Sequence, residues 1–378
     1  MGVYERLGLR TIVNARGTHT RLGGTLMLPE VLDAMREAAG AYVVLEELQA
    51  RASEVIARAT GAEAGMVTGG AAAGLLLGTA ACIAGEDPAR IARLPDTTGM
   101  RGEAIMHRAH RNGYDHSVRA AGVAMVEVGS PGGTTPDDLE SAIGERTGLV
   151  VYLMSPWAGL GALSLAETCA IAHRHGVPVL VDAAAVLPPA ENLTRFIAEG
   201  ADLVTFSGGK GLRGPQSSGI LAGRADLIRA ALKNGSPNHS IGRVAKAAKE
   251  DIVGLIVALE AYLARDHAAD LERWRAQSEY LAERLAGLPG IEVNCVYDGR
   301  EHITPRVELV IATETRIDAH ALVVALEEGE PRLYLFEPNG PTARPNSVVI
   351  NTQTMREGDE RIIAEVLRPA LEQRLARA

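Results

Sequence analysis

The chain has 378 residues, 47% of them hydrophobic and 22% charged, an ordinary globular balance with room for one large α/β domain and a smaller appended one. Aromatics make up only 3%, so a core has to be built from Ala, Val, Leu and Ile, and a net charge of −9 gives no support to nucleic-acid binding, where a basic face is expected, although a local patch can sit inside an acidic average. Cys82, Cys169 and Cys295 are widely spaced and odd in number, which excludes a disulfide framework and a clustered zinc site and fits a reducing compartment.

No membrane association is expected. The longest apolar run, 71–85, contains glycines and falls short of the roughly 20 residues that a bilayer span needs, so it reads as a buried helix. The start, Met1-Gly-Val-Tyr-Glu-Arg6, lacks the basic-then-apolar layout of a signal peptide, and the expected location is the cytoplasm.

In chain order, residues 1–24 read as an irregular arm ending in Arg21-Leu-Gly-Gly24. Helices follow at about Pro29–Gly40 and Leu45–Thr60, the second closed by Gly61. A small-residue loop, Thr68-Gly-Gly-Ala-Ala-Ala73, then runs into the apolar helix. From there β-type runs at Ala104–His107, Ala124–Val128, Leu149–Met154, Val179–Asp182, Leu203–Ser207 and Gly219–Ala222 alternate with helical stretches. Those helices are at about Pro136–Ile143, Ser164–His175 and Leu193–Glu199. Apolar strands alternating with helices predict an α/β domain with a mostly parallel sheet covered on both faces. Ligands of such sheets bind outside the carboxyl ends of the strands, where His107, Ser155, Asp182 and Ser207 fall.

A continuous helical stretch is predicted over about Arg243–Leu288. It leads to a small α/β unit with strands at Ile291–Tyr297, Arg306–Ala312, Arg332–Phe336 and Ser347–Asn351 and helices at about Asp318–Glu328 and Gly358–Arg377. The expected organisation is an arm over 1–24, a large domain over 25–250 and a small domain over 251–378 that includes the connecting helix.

Three segments carry chemistry together. Val179-Leu-Val-Asp182 is an apolar strand ending in an acid, and Asp202-Leu-Val-Thr-Phe-Ser-Gly-Gly-Lys210 is a strand breaking into a glycine loop that presents a lysine. The third is the loop 68–73. Taken singly, the aspartate reads as a turn residue, the lysine as a solvated side chain and the small residues as tight packing. In this order they match the needs of pyridoxal phosphate. That cofactor requires a desolvated amine to meet its aldehyde, a carboxylate against its pyridine nitrogen, and backbone N–H groups at a helix start for its phosphate. A nucleotide phosphate loop is excluded because Gly211 stands where Ser or Thr must follow the lysine.

At these residues the chain resembles the fold type I, aspartate-aminotransferase-like pyridoxal-phosphate enzymes. More narrowly it is similar to the bacterial selenocysteine synthase-like group, which includes the D-glucosaminate-6-phosphate ammonia-lyases. The resemblance is carried by Ile12-Val-Asn-Ala-Arg-Gly17, His19-Thr-Arg-Leu-Gly23, Val128-Gly129, the segment from Asp202 to Lys210 and Gly214-Pro-Gln216, and it covers the chain from residue 11 onward. It implies the fold type I architecture and pyridoxal 5'-phosphate as cofactor; His107, His110 and His116 could also suggest a metal, but no carboxylate partner stands at a convincing spacing, and no metal is expected. Lys210 becomes the lysine that carries the cofactor as an imine and Asp182 the partner of the ring nitrogen. Gly70, Ala71, Ala72 and Ser207 would hold the phosphate, and Ser155 would reach the cofactor's hydroxyl side. His110 is the expected ring stacked on the cofactor, with His107 second.

The departures matter as much. Selenocysteine synthases place an arginine where Gly24 stands, and two arginines three apart after the catalytic lysine; here the pair is Ser240 and Arg243. Their N-terminal tRNA-binding region has no counterpart before residue 11, so a seleniumtransferase role is not expected. Arg243, Arg16 and Arg344 are the candidates for binding a substrate anion. The expected reaction is α,β-elimination and deamination of a hydroxylated amino acid or amino-sugar acid to a 2-oxo acid and ammonia. An aldolase or transferase using the same cofactor is the alternative, and a non-catalytic homologue is disfavoured by the presence of Lys210 and Asp182. The resemblance also implies a homodimer or larger homo-oligomer.

Overall fold

A computed structural model describes residues 2–155, 161–298, 303–338 and 343–377. The chain divides into two compact units, residues 25–265 and residues 1–24 together with 266–378. No helix among the described residues is long and apolar enough to cross a membrane.

Strands in chain order are β1 (Ile12–Ala15), β2 (Ala64–Thr68), β3 (Glu103–His107), β4 (Ala124–Val128), β5 (Thr147–Leu153) and β6 (Val179–Asp182). They continue with β7 (Leu203–Ser207), β8 (Gly219–Gly223), β9 (Ile291–Val296), β10 (Arg306–Ile311), β11 (Arg332–Leu335) and β12 (Ser347–Asn351). In the large unit seven of them form one sheet in the order β2-β8-β7-β6-β5-β3-β4. Only β8 runs against its neighbours, so the sheet is mostly parallel, as the sequence predicts.

Both faces of this sheet are buried, which is why its strands are continuous apolar runs rather than alternating ones. Along β5, Val150 and Tyr152 point into one core while Leu149 and Val151 point into the other. The first core is closed by the helices Leu45–Thr60, Leu165–Arg174, Asn192–Ala198 and Lys249–Ala264. The second is filled largely by the helix Ala71–Ala84, buried on almost every side. Its small residues follow from that position. A Cβ on Gly74 would lie 2.2 Å from Thr205 Oγ1, and one on Gly78 would lie 3.1 Å from Leu180.

Three elements differ from the sequence reading. The stretch 243–288 is not one helix: a short 3-10 turn at Arg243–Ala245 precedes Lys249–Ala264, and a second helix, His267–Leu285, begins after a break. At that break Arg265 is extended, and Asp266 caps the new helix by accepting from Ala269 N–H (2.9 Å). The boundary between the units falls here, between residues 265 and 266, rather than at 250. Second, Ala64–Thr68 is a strand although Gly65 weakens its pattern; a Cβ there would come within 2.2 Å of Ile56 Cγ2, so packing demands the glycine. Third, Ile12–Ala15 of the arm is a strand, paired in parallel with Arg332–Leu335.

In the small unit β12-β10-β9 form an antiparallel sheet packed by the helices His267–Leu285, Ala319–Glu328 and Asp359–Leu375. Asn14 and Gly17 close the arm onto this unit, with Thr354 Oγ1 donating to Asn14 C=O (3.0 Å).

At the amino ends of the large-sheet strands, Asp202 ties three elements together. Its carboxylate accepts from Val179 N–H (2.8 Å), pairs with His173 Nε2 (2.8 Å) and accepts from Arg224 Nη1 (3.1 Å) while the side chain is almost wholly buried. Removing one member of such a network leaves buried partners unmatched. Asp202→Ala is therefore expected to lose roughly 2–4 kcal/mol of stability, read from the urea midpoint, without a comparable change at the carboxyl ends of the strands.

Candidate active site

Parallel pairing brings the informative residues to one edge. Leu153 registers with Asp182, and Asp182 with Thr205, so the carboxyl ends of β5, β6 and β7 lie level. Ser155 follows β5, Asp182 ends β6 and Ser207 ends β7. Met154 N–H donates to Asp182 C=O (2.8 Å) and Ala183 N–H to Thr205 C=O (2.9 Å), which fixes the backbone on both sides of the acid.

The Asp182 side chain is buried, with Oδ1 accepting from Ala184 N–H (3.1 Å). Burial pushes its carboxyl above the ordinary range; the Ala184 amide and the charge of Lys210 pull the other way. Burial likewise holds the Lys210 amine below the usual lysine range, opposed by the attraction of Asp182. The two groups feel each other, and for both the loss of water is the larger influence. A lysine in this state gives up its proton more readily than an exposed one.

The loop that presents Lys210 is built on close approaches that only glycine permits. A Cβ on Gly209 would sit 2.4 Å from Gln216 Cα, and one on Gly211 would sit 2.4 Å from Leu187 C=O. Gly208 N–H donates to Ser218 C=O (2.8 Å) and Gly214 N–H to Gly208 C=O (2.9 Å), closing the loop. Thr25 anchors it from outside, its Oγ1 donating to Lys210 C=O (3.0 Å) and its N–H to Gly209 C=O (3.2 Å).

The third segment is a helix start. Gly70 has φ +106 and caps the helix Ala71–Ala84, whose first N–H to find a helical acceptor is that of Gly74, bonded to Gly70 C=O (3.0 Å). The amides of Ala71, Ala72 and Ala73 are left for another acceptor. Ala72 is exposed on a helix otherwise buried apart from half-buried Cys82, so this end faces open space. A Cβ on Gly219 would lie 2.5 Å from Gly70 C, and one on Gly69 would lie 2.8 Å from Ala245 C=O. A cradle of amides with no side chains in the way fits a phosphate dianion. Together with the desolvated lysine and the buried acid, it fits pyridoxal phosphate.

Two sets of expected residues are placed differently. The rings of His110 and His107 are wholly buried and stack edge-on with Tyr152, at 4.4 and 5.8 Å between centroids. His110 Nδ1 accepts from Leu153 N–H (3.3 Å), and His107 Nε2 pairs with Thr168 Oγ1 (3.1 Å). Burial lowers the His107 pKa to about 4, so this ring is neutral. Both rings are thus packed among protein atoms beside Tyr152. Of the three arginines, Arg16 pairs with Glu327 (3.2 Å) and Arg344 with Glu292 (2.8 Å), both within the unit of residues 1–24 and 266–378. Arg243 is exposed, with no ion pair among the described residues, on the turn whose Ala245 carbonyl abuts Gly69. Among the described residues no group of three or more His, Cys, Asp or Glu is arranged to hold a metal.

Sequence reasoning missed Thr25, and it placed Thr68 in the loop 68–73 without a role for its side chain. Thr68 Oγ1 donates to Gly70 C=O (2.9 Å) and shapes the cradle. A threonine beside a glycine loop carries no signal of which carbonyl it will meet.

Residues 12–273 match the family described as SelA: L-seryl-tRNA selenium transferase. The chain is 34% identical to a D-glucosaminate-6-phosphate ammonia lyase of Salmonella typhimurium, over 98% of each chain. It is 35% identical to a 5'-C-glycyluridine monooxygenase-decarboxylase of a Streptomyces species, over 88% of this chain and 83% of that one. Its fold superposes on the solved structure of a D-glucosaminate-6-phosphate ammonia-lyase with a TM-score of 0.84 at 32% identity, covering 99% of both chains.

The opposed influences on Lys210 predict a pH signature in the cofactor-free protein. Reductive methylation followed by peptide mapping should show Lys210 reacting from a lower pH than exposed Lys246. Asp182→Ala removes the attraction that favours the ammonium form, so the onset for Lys210 should move lower still. An onset shared with Lys246 contradicts the burial argument.

Proposed function

The chain belongs to the SelA, L-seryl-tRNA selenium transferase, family and is a pyridoxal-phosphate enzyme of the ammonia-lyase type, and we propose that it deaminates a hydroxylated amino-sugar acid of the D-glucosaminate 6-phosphate class to a 2-oxo acid and ammonia. The observation that carries this reading is the half-buried Lys210 and the buried Asp182, each feeling the other's charge, together with a glycine cradle, on a chain that matches an ammonia lyase from end to end.

When bound, pyridoxal phosphate supplies an electron sink for the charge left at the substrate's α-carbon. The work of the chain is to bind, orient and move protons. The first-turn amides of Ala71 and Ala72, with Gly70 and the Ser207 hydroxyl, hold the phosphate. The Asp182 carboxylate keeps a proton on the pyridine nitrogen; a cationic partner at that place offsets the burial that otherwise pushes its own pKa up. Lys210 Nζ, held toward its neutral form, accepts the α-proton. Ser155 binds the cofactor's hydroxyl side. Loss of the β-hydroxyl as water and hydrolysis of the released enamine give the 2-oxo acid and ammonia. Arg243 binds the carboxylate or phosphate of the substrate, since Arg16 and Arg344 already have carboxylate partners.

Assembly and location belong to the same proposal. Tyr42, Val43, Val44 and Val244 are large, apolar and exposed, Tyr42 fully and Val244 to 86%, which supports burial of this surface against a second copy in at least a homodimer. The free cysteines support a cytoplasmic location.

The Streptomyces relative favours a second reading, in which the same cofactor site serves another reaction of an amino acid α-carbon, such as decarboxylation, aldol cleavage or transfer. Product analysis separates the two. Incubation with D- and L-hydroxyamino acids and with D-glucosaminate 6-phosphate should release ammonia and a 2-oxo acid; release of an aldehyde or of carbon dioxide without ammonia selects the second reading.

Borohydride treatment should fix the cofactor on Lys210, and a label on another lysine removes that residue from its role. Asp182→Asn should retain most of the cofactor yet lose about 100-fold or more in kcat, because an amide cannot hold the ring proton.

Arg243→Ala should raise KM for an acidic substrate by about 2–4 kcal/mol of lost binding, with the cofactor absorbance unchanged. Parent-like kinetics exclude Arg243 from the substrate site.

A further inference from the structure

The strand that leads into the cradle is held from outside its sheet. β2 is an edge strand, bonded to β8 on one side only. On the open side the helix Leu45–Thr60 contributes Gln49. Its Oε1 accepts from Val67 N–H (3.0 Å) and its Nε2 donates to Val67 C=O (2.8 Å), the pair of bonds that a further strand would make. A primary amide carries its donor and its acceptor on adjacent atoms, which suits this pair of bonds. One helical turn on, Ser53 Oγ accepts from Gly65 N–H (3.0 Å), farther from the cradle.

Val67 is joined to the cradle through a short run of tight contacts. Thr68 follows it and donates to Gly70 C=O, and Gly70 in turn caps the helix that offers the amides of Ala71 to Ala73. The neighbouring backbone leaves no slack, since Gly69 abuts Ala245 and Gly219 abuts Gly70 at distances that exclude a Cβ. A displacement of Val67 is therefore passed to the amides rather than absorbed before them.

We propose that Gln49 is a positioning residue for the phosphate of the cofactor: its amide clamps the Val67 backbone and thereby aims the helix-start N–H groups, without touching the cofactor. The inference rests on the pyridoxal-phosphate reading above. A plain edge-blocking role would make Gln49 equivalent to Ser53, which bonds the same strand. Positioning makes the two differ, and makes the effect specific to the phosphate.

The test uses the full chain stripped of cofactor and titrated with pyridoxal phosphate and with pyridoxal, which lacks the phosphate, following imine absorbance. Gln49 and Ser53 line a cavity of about 480 Å³, so truncation there leaves space for water rather than a collapsed core. Gln49→Ala is expected to raise Kd for pyridoxal phosphate about tenfold, the scale of losing two hydrogen bonds. Its Kd for pyridoxal should stay within about twofold of the parent. Ser53→Ala should leave both values unchanged even where it lowers Tm. If Gln49→Ala does not fold, Gln49→Glu carries the same comparison, because it keeps the acceptor for Val67 N–H but sets a carboxylate against Val67 C=O.

An unchanged affinity for pyridoxal phosphate, an equal loss for both probes, or an equal effect of Ser53→Ala overturns the proposal. A parent that forms no imine overturns the cofactor reading itself, which is a separate outcome.

Discussion

Keeping water away from one amine and one carboxylate is the condition on which the site depends. Lys210 and Asp182 are ordinarily ionised, and burial drives each toward its neutral form while their attraction resists. In bulk water both influences would be weak and the lysine would be a spectator. The sheet supplies the dry environment. Its strands end level with one another under two apolar cores, so residues leaving those ends start from protein rather than solvent.

The second requirement is close approach of backbone to backbone. At Gly209, Gly211 and Gly219 a single methyl group would overlap main-chain atoms, and at Gly70 the positive φ sets the direction of the helix start. These glycines are arranged so that backbone, rather than side chains, forms the wall of the cradle. A cofactor held by amides can be shared by enzymes of different chemistry, because the amides read a phosphate and say nothing about the substrate. That is consistent with the similarity of this one chain to relatives named as an ammonia lyase, a selenium transferase and a monooxygenase-decarboxylase. The difference must lie in the side chains around the α-carbon, and here the cation inventory is informative. Two of the three candidate arginines are engaged by glutamates, and Arg243 is not.

The opposite ends of the same strands are organised for stability. Asp202 immediately precedes β7, where it gathers Val179 N–H, His173 and Arg224, while Ser207 ends the same strand and Lys210 follows it. One five-residue strand thus joins a satisfied ionic network to a site whose charges are held out of water. A rigid strand lets the first support the second, since local distortion at either end costs packing along both cores.

The sequence alone determined the α/β class, the six strands from Ala104 to Ala222, and the pairing of Asp182 with the Lys210 loop. Each is encoded locally: apolar runs of strand length, glycines around one lysine, and small residues opening one helix. The tertiary structure decided what depends on distant partners. β1 exists because Arg332–Leu335 lies beside it, some 320 residues along the chain, and β2 tolerates Gly65 because Ile56 fills the space. The helix predicted over 243–288 breaks where Asp266 can cap a new one, a choice invisible to periodicity. His107 and His110 stand in the sequence just where a stacking ring is expected, and in the fold both lie buried beside Tyr152, His110 bonded by the Leu153 amide and His107 by Thr168. A residue's type and spacing set what chemistry it can perform. Whether its polar atoms are free to perform it depends on partners that only the folded chain brings within hydrogen-bonding reach.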